Sequence, residues 1–102
     1  MQYHYLTLGR NVGGDTVDAI SVSEAVDYVA LCLKNLGCNS FSVFEGKGYW
    51  NGTPENIIRF EVFGISDSQA KNLAKWLAKQ FNQENVMLLS VNSRPKFIRG
   101  DM

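Results

Sequence analysis

Two serine-led tetrapeptides constrain this chain more than anything else in it. Ser21-Val22-Ser23-Glu24 and Ser66-Asp67-Ser68-Gln69 both have the form of a capping box. In such a box the first hydroxyl accepts from the amide three residues on, and the fourth side chain reaches back to the first amide. Apolar residues at helical spacing follow each one. After the first come Val22, Ala25, Val26, Val29, Leu33 and Leu36, with Gly37 standing where a helix stops. After the second come Ala70, Leu73, Ala74, Leu77 and Phe81, while Lys71, Lys75 and Lys79 form a solvated ridge. Helices are therefore predicted over 22–36 and 67–82.

Alternation of apolar and polar residues predicts strands over 2–8, 40–45, 56–64 and 85–92. The order β-α-β-β-α-β is that of the ferredoxin-like sandwich, an α+β fold. Right-handed crossovers then give a four-stranded antiparallel sheet in the order 4-1-3-2, with two helices on one face. Residues 1–92 make a single domain of this kind, and Pro95 sets off 93–102 as a C-terminal tail.

The chain has 102 residues, room for one modest core. Ten basic and ten acidic residues balance to zero, which makes nucleic acid an unfavoured partner. No apolar run approaches the ~20 residues of a membrane span. The start, Met1-Gln2-Tyr3-His4, has neither the basic nor the apolar part of a secretory leader. A cytoplasmic protein without membrane association is expected. Cys32 and Cys38 read as reduced thiols, because His4 is the single histidine and no metal-ligand spacing surrounds them. No metal and no cofactor are expected.

The topology gathers two unusual connections at one end of the sheet. One is the glycine-rich stretch 9–16, with Asn11 and Asp15. The other is 45–55, read as a long loop with three glycines, a proline and the Tyr49-Trp50 pair between Glu45 and Glu55. The 82–84 turn joins them. Tyr49, Trp50, Asn51, Asn11 and Asp15 are the expected partner-binding residues, since Tyr and Trp dominate interface hot spots. For Trp50 the alternative is packing down onto the end of the core. His4 reads as a satisfied structural residue. The acidic residues of these loops fit turn chemistry better than acid–base or cation-binding work.

Face assignment puts Leu6, Leu8, Phe41, Val43, Ile58, Phe60, Val62, Met87, Leu89 and Val91 under the helices. It leaves Tyr3, Tyr5, Phe44, Ile57, Arg59, Phe63, Val86 and Leu88 on the open face, too apolar for water. A homodimer is expected through Tyr3, Tyr5, Phe44, Arg59, Phe63 and Leu88. The alternative is that the tail, with Phe97 and Ile98, folds back over part of that face. An RNA-recognition module shares the expected topology, but Asn56–Phe63 does not match its basic-Gly-aromatic signature.

Gly48-Tyr49-Trp50-Asn51-Gly52-Thr53-Pro54-Glu55-Asn56, followed by an apolar strand, resembles small phage-encoded ferredoxin-like proteins. In them a Gly-x-Trp-x-Gly-x-x-Glu turn precedes the third strand. The resemblance is confined to this stretch and implies an accessory protein that acts by binding, without a cofactor. The expectation is thus a non-enzymatic protein–protein interaction module, a phage or mobile-element accessory or inhibitor protein, that binds an unknown protein through 9–16 and 46–55. One alternative is a small enzyme or metabolite-binding protein with its site between the same loops, drawing on Asp15, Glu55 and His4. The second is single-stranded nucleic-acid binding on the open face.

Overall fold

A computed structural model describes residues 2–10, 20–93 and 96–100. The elements are β1 (Gln2–Gly9), α1 (Val22–Asn35), β2 (Phe41–Trp50), β3 (Thr53–Phe63), α2 (Asp67–Gln80) and β4 (Met87–Asn92). Both helices begin where the serines set them. Ser21 Oγ accepts from the Glu24 amide at 3.0 Å. In α2 the box closes fully: Ser66 Oγ accepts from the Gln69 amide at 3.1 Å, and Gln69 Oε1 accepts from the Ser66 amide at 2.9 Å. Each helix ends in a left-handed residue, Gly37 at φ 77° and Asn82 at φ 51°. Behind each, an amide returns to a carbonyl of the last turn, Cys38 to Leu33 and Gln83 to Ala78, both at 2.8 Å.

The sheet order is β2-β3-β1-β4, the expected 4-1-3-2 read from the other edge, and every pair is antiparallel. Leu6, Leu8, Ile58, Phe60 and Val62 are fully or almost fully buried against Ala25, Val29 and Leu33 of α1 and Ala70, Leu73 and Leu77 of α2. Side chains of this size each contribute about 1.5–3 kcal/mol on burial. Both helices therefore cover the same sheet face. Among the described residues, no helix is long and apolar enough to cross a membrane. Cys32 and Cys38 are free thiols. Burial pushes the Cys32 thiol up, with a Tyr28 hydrogen bond pulling the other way, so its reactive thiolate form is held back.

His4 is fully buried on the helix side of β1. Its Nε2 lies 3.0 Å from the Ile65 carbonyl, which can only accept, so Nε2 carries a proton and donates it. Nδ1 is hydrogen-bonded to the Ser90 hydroxyl at 2.8 Å. The structural reading of this histidine is the one the geometry gives.

Two expectations need correction. First, 45–55 is no loop. β2 runs on to Trp50 and β3 begins at Thr53, joined by Asn51 and Gly52 at φ 51° and 80°. Both central residues in the left-handed region make the two-residue turn whose twist matches a hairpin. Gly46 and Gly48 disguised the strand, because glycine is scarce in strands. Here Gly48 makes room: a Cβ on it would stand 3.0 Å from Ile57 and 3.3 Å from the Trp50 ring. β1 ends at Gly9 opposite Ile57, with the Arg10 amide reaching the Asn56 carbonyl at 2.9 Å. The rungs Lys47–Asn56, Gly48–Glu55, Tyr49–Pro54 and Trp50–Thr53 thus project past β1 as a free arm. Four rungs extend about 13 Å. Pro54 falls in this free part, where no β1 neighbour asks for its missing N–H.

Second, β4 starts at Met87 and its phase is the reverse of the one expected. Leu88 lies opposite Leu6, and Ser90 opposite His4. Leu88 and Val86 pack against the core, so Leu88 leaves the proposed interface set. Met87, Leu89 and Val91 take the open face, 52%, 55% and 38% exposed. Met87-Leu88-Leu89 is apolar in both phases, and alternation alone could not choose. The register, with Leu88 opposite Leu6 and Ser90 bonded to the buried His4, shows which phase the fold adopts.

The open face carries Tyr3, Tyr5, Phe44, Arg59 and Phe63 as expected. Tyr3 stacks on Tyr5 at 6.3 Å and meets Phe63 at 5.5 Å. The Arg59 guanidinium lies 5.3 Å from the Tyr5 ring centre and 5.5 Å from that of Phe44, and it binds Glu61 at 2.7 Å. Phe97 of the tail comes within 6.5 Å of Phe63 but stays 81% exposed, so it touches the face without covering it.

Candidate functional site

The arm overhangs one end of the open face, and the α2–β4 connection rises on the other side of the same end. Between them lies a cavity of about 890 Å³ lined by Thr7, Gly9, Trp50, Asn51, Glu55, Asn82, Gln83, Glu84, Asn85 and Met87. Each wall follows from a local feature already described. The Asn51-Gly52 turn holds Trp50 and Asn51 at the tip. The left-handed Asn82 ends α2 and sends Gln83, Glu84 and Asn85 along the rim. The floor is the last part of β1.

Glu55 stands beside Gly9 on that floor, and a Cβ at Gly9 would overlap its carboxylate. Glycine is therefore what lets the carboxylate lie down on the β1 backbone. Thr7, two residues back on the same face, is 4% exposed. Among the described residues its Oγ1 is the buried side-chain polar atom without a hydrogen-bond partner. Among the described residues, the remaining lining is four side-chain amides, a second carboxylate (Glu84), an indole and a thioether, with no Lys or Arg. Arg10 is nearby but engaged, donating to the Ile20 carbonyl at 2.9 Å and meeting Glu45 at 3.6 Å. An acidic, amide-rimmed pocket with one flat aromatic wall suits a cationic heteroaromatic ligand.

The residues expected to bind a partner separate here. Trp50 and Asn51 line the cavity; Trp50 is 45% exposed and forms a wall, so it is not packed onto the end of the core. Tyr49 is 68% exposed and sits on the opposite face of the arm, outside the lining. Asn11 and Asp15 lie outside the described residues. Of the polar groups named for the alternative site, Glu55 is in the cavity, His4 is on the other side of the sheet, and Asp15 is again outside the described residues. Thr7, Asn85 and Met87 were not foreseen; Gly9 and 82–84 fall in the connections expected at this end, although none of their residues was singled out. The Asn51-Gly52 dipeptide was the one signal that could have led to them, because recognising its turn extends β2 and puts Trp50 over β1.

No protein-family model matches the chain, and no curated protein matches it. Solved structures do. A phage SAM lyase in the apo state aligns with a TM-score of 0.76 and 21% identity, over 88% of this chain and 78% of that one. A phage SAM lyase in complex with S-methyl-5'-thioadenosine aligns with a TM-score of 0.67 and 21% identity, over 88% and 79%. At this identity the likeness shows a shared fold. The two structures bear on the resemblance to phage proteins only as far as a small phage protein fold, and no family model confirms a phage accessory protein. The expectation of a non-enzymatic interaction module is corrected: both of these solved chains are phage SAM lyases, which points to an enzyme rather than a binding module. The alternative of a small enzyme with its site by these connections is the better supported.

Proposed function

We propose that this chain is an enzyme of the SAM lyase kind, binding SAM in the cavity under the arm and releasing S-methyl-5'-thioadenosine. The observation that carries the reading is the acidic lining, with the Glu55 carboxylate laid over Gly9 and no Lys or Arg among the described lining residues. SAM bears a sulfonium and an ammonium, and a lining of this sign favours both. The fold shared with phage SAM lyases, one of them holding S-methyl-5'-thioadenosine, supports the same reading. The element order and sheet order support naming the frame ferredoxin-like.

The chemistry asks little of the protein beyond placement. A positively charged sulfur leaves as a neutral thioether, so no residue has to protonate it. The electron pair of the breaking C–S bond goes to sulfur. No Cys, Lys or His stands among the described lining residues to attack the carbon. The carboxylate of the substrate can do so itself, closing a five-membered lactone as the C–S bond opens. One carboxylate and one sulfonium are consumed, the ammonium is kept, and no proton moves. Orientation of the substrate into that ring-closing shape is then the main source of rate. The sulfur loses its charge on the way, so a carboxylate against sulfur would favour the starting state. Glu55 is better used on the ammonium, which stays charged throughout. Trp50 offers its indole face to the adenine.

Incubation of the purified protein with SAM, followed by chromatography, tests this reading. S-methyl-5'-thioadenosine should appear in step with SAM loss and above a protein-free control. SAM left intact by stoichiometric protein would sink the reading.

The open face supports the further proposal of self-association as a homodimer. Phe44, Met87 and Leu89 are about half exposed beside the Tyr3–Tyr5–Phe63 cluster. Sedimentation velocity at high micromolar concentration should show a species larger than the monomer, and Leu89→Glu should shift it back. A wild-type monomer under those conditions overturns this proposal.

A further inference from the structure

Thr7 is out of keeping with its surroundings. It lies mid-sheet, opposite Arg59 on β3 and Met87 on β4, and is 4% exposed. Its hydroxyl can donate once and accept twice, yet among the described residues it is the buried side-chain polar group without a partner. Leaving a hydroxyl buried and unpaired is destabilising, so native structures seldom keep one without a use. The same residue lines the cavity floor, two positions before the glycine that seats Glu55. Valine would fill the same space without the penalty.

We propose that Thr7 is a ligand-binding residue of the cavity, whose hydroxyl completes its hydrogen bonding on a polar group of the nucleoside-type ligand. The proposal rests on the cavity being the SAM site. It adds a specificity determinant that the carboxylates do not supply. They select for positive charge, whereas Thr7 selects for a hydrogen-bonding group held deep against β1. It also fixes a sign: the hydroxyl costs the empty protein stability and is recovered on binding.

Thr7→Val separates these effects, because the two measurements should move in opposite directions. The melting temperature of the ligand-free protein should stay level or rise by up to about 4 °C. Affinity for S-methyl-5'-thioadenosine, measured by calorimetry, should weaken about fivefold to tenfold, as should kcat/KM on SAM. Thr7→Ser, which keeps the hydroxyl, should stay within about twofold of wild type in both. Loss on both ligands places the contact on the shared nucleoside, and loss on SAM alone places it on the amino-acid end; either supports the role. Thr7→Val with wild-type affinity and turnover overturns it while leaving the cavity as the SAM site. Equal loss in Val and Ser variants, with lowered melting temperatures, overturns it in favour of a packing role. If wild type neither binds S-methyl-5'-thioadenosine nor consumes SAM, the cavity reading fails and takes this role with it.

Discussion

Glu55→Gln should lower kcat/KM on SAM by about 100-fold, with most of the change in KM, and should leave the melting temperature within a degree or two of wild type. The size follows from what is removed. A hydrogen bond to a charged group contributes about 1.5–3 kcal/mol, and the upper part of that range corresponds to two orders of magnitude. The partition into KM follows from the ammonium keeping its charge through the reaction, so substrate and transition state lose the interaction equally. Stability should hold because Gln has the same shape and the residue is half-buried at the cavity, away from the core. Gly9→Ala gives an independent route to the same result. A methyl there would occupy the place of the carboxylate. The flexible end of Glu55 would swing away, so turnover should fall while the charge remains in the protein. A Glu55→Gln enzyme with unchanged kinetics would remove Glu55 from the site, whatever the fate of the lyase reading.

His4→Ala should cost about 3 kcal/mol of folding stability and lower the melting temperature by at least about 12 °C. Two losses add. The imidazole is fully buried, so its removal leaves a hole on the helix side of β1. It also strands the buried Ile65 carbonyl, 61 residues away in sequence, and removes the bond to Ser90, 86 residues away, whose exposed hydroxyl can turn to water. Those two bonds tie β1 to β4 and to the turn before α2. His4→Gln, long enough to reach one of the partners, should recover part of the loss. Chemical denaturation measures all three, and an alanine variant within about 1 kcal/mol of wild type would show that the network adds little.

The sequence discloses the frame because each helix carries its own start and stop. Ser21 and Ser66 open them, and Gly37 closes the first, by interactions within four residues of chain. β1 was equally legible, since His4, Leu6 and Leu8 alternate with Tyr3, Tyr5 and Thr7 and one face is sealed. What was illegible depends on distant partners. The phase of β4 is set by Ser90 meeting His4, and nothing in Met87-Leu88-Leu89 announces it. The arm was hidden by Gly46 and Gly48, of which Gly48 makes room for Ile57 across the strand and Trp50 along it. The cavity needs both of these facts together. Thr7, Glu55 and Asn85 come from different parts of the chain, and no spacing rule links them. The proposed chemistry would leave no motif either, because a substrate that supplies its own nucleophile needs no triad and no activated side chain.

The free arm imposes an arithmetic on any change in its length. Successive rungs of a hairpin present their side chains to opposite sides. Deleting the Tyr49–Pro54 rung would carry Trp50 to the far side, turning an aromatic wall into an exposed ornament. Deleting two rungs would restore its side but set it back by about 7 Å. Chains that keep a tryptophan over this cavity can therefore lengthen or shorten the arm only by even numbers of rungs. The Asn-Gly tip, which costs nothing to move along with it, leaves that parity as the constraint on how the arm can evolve.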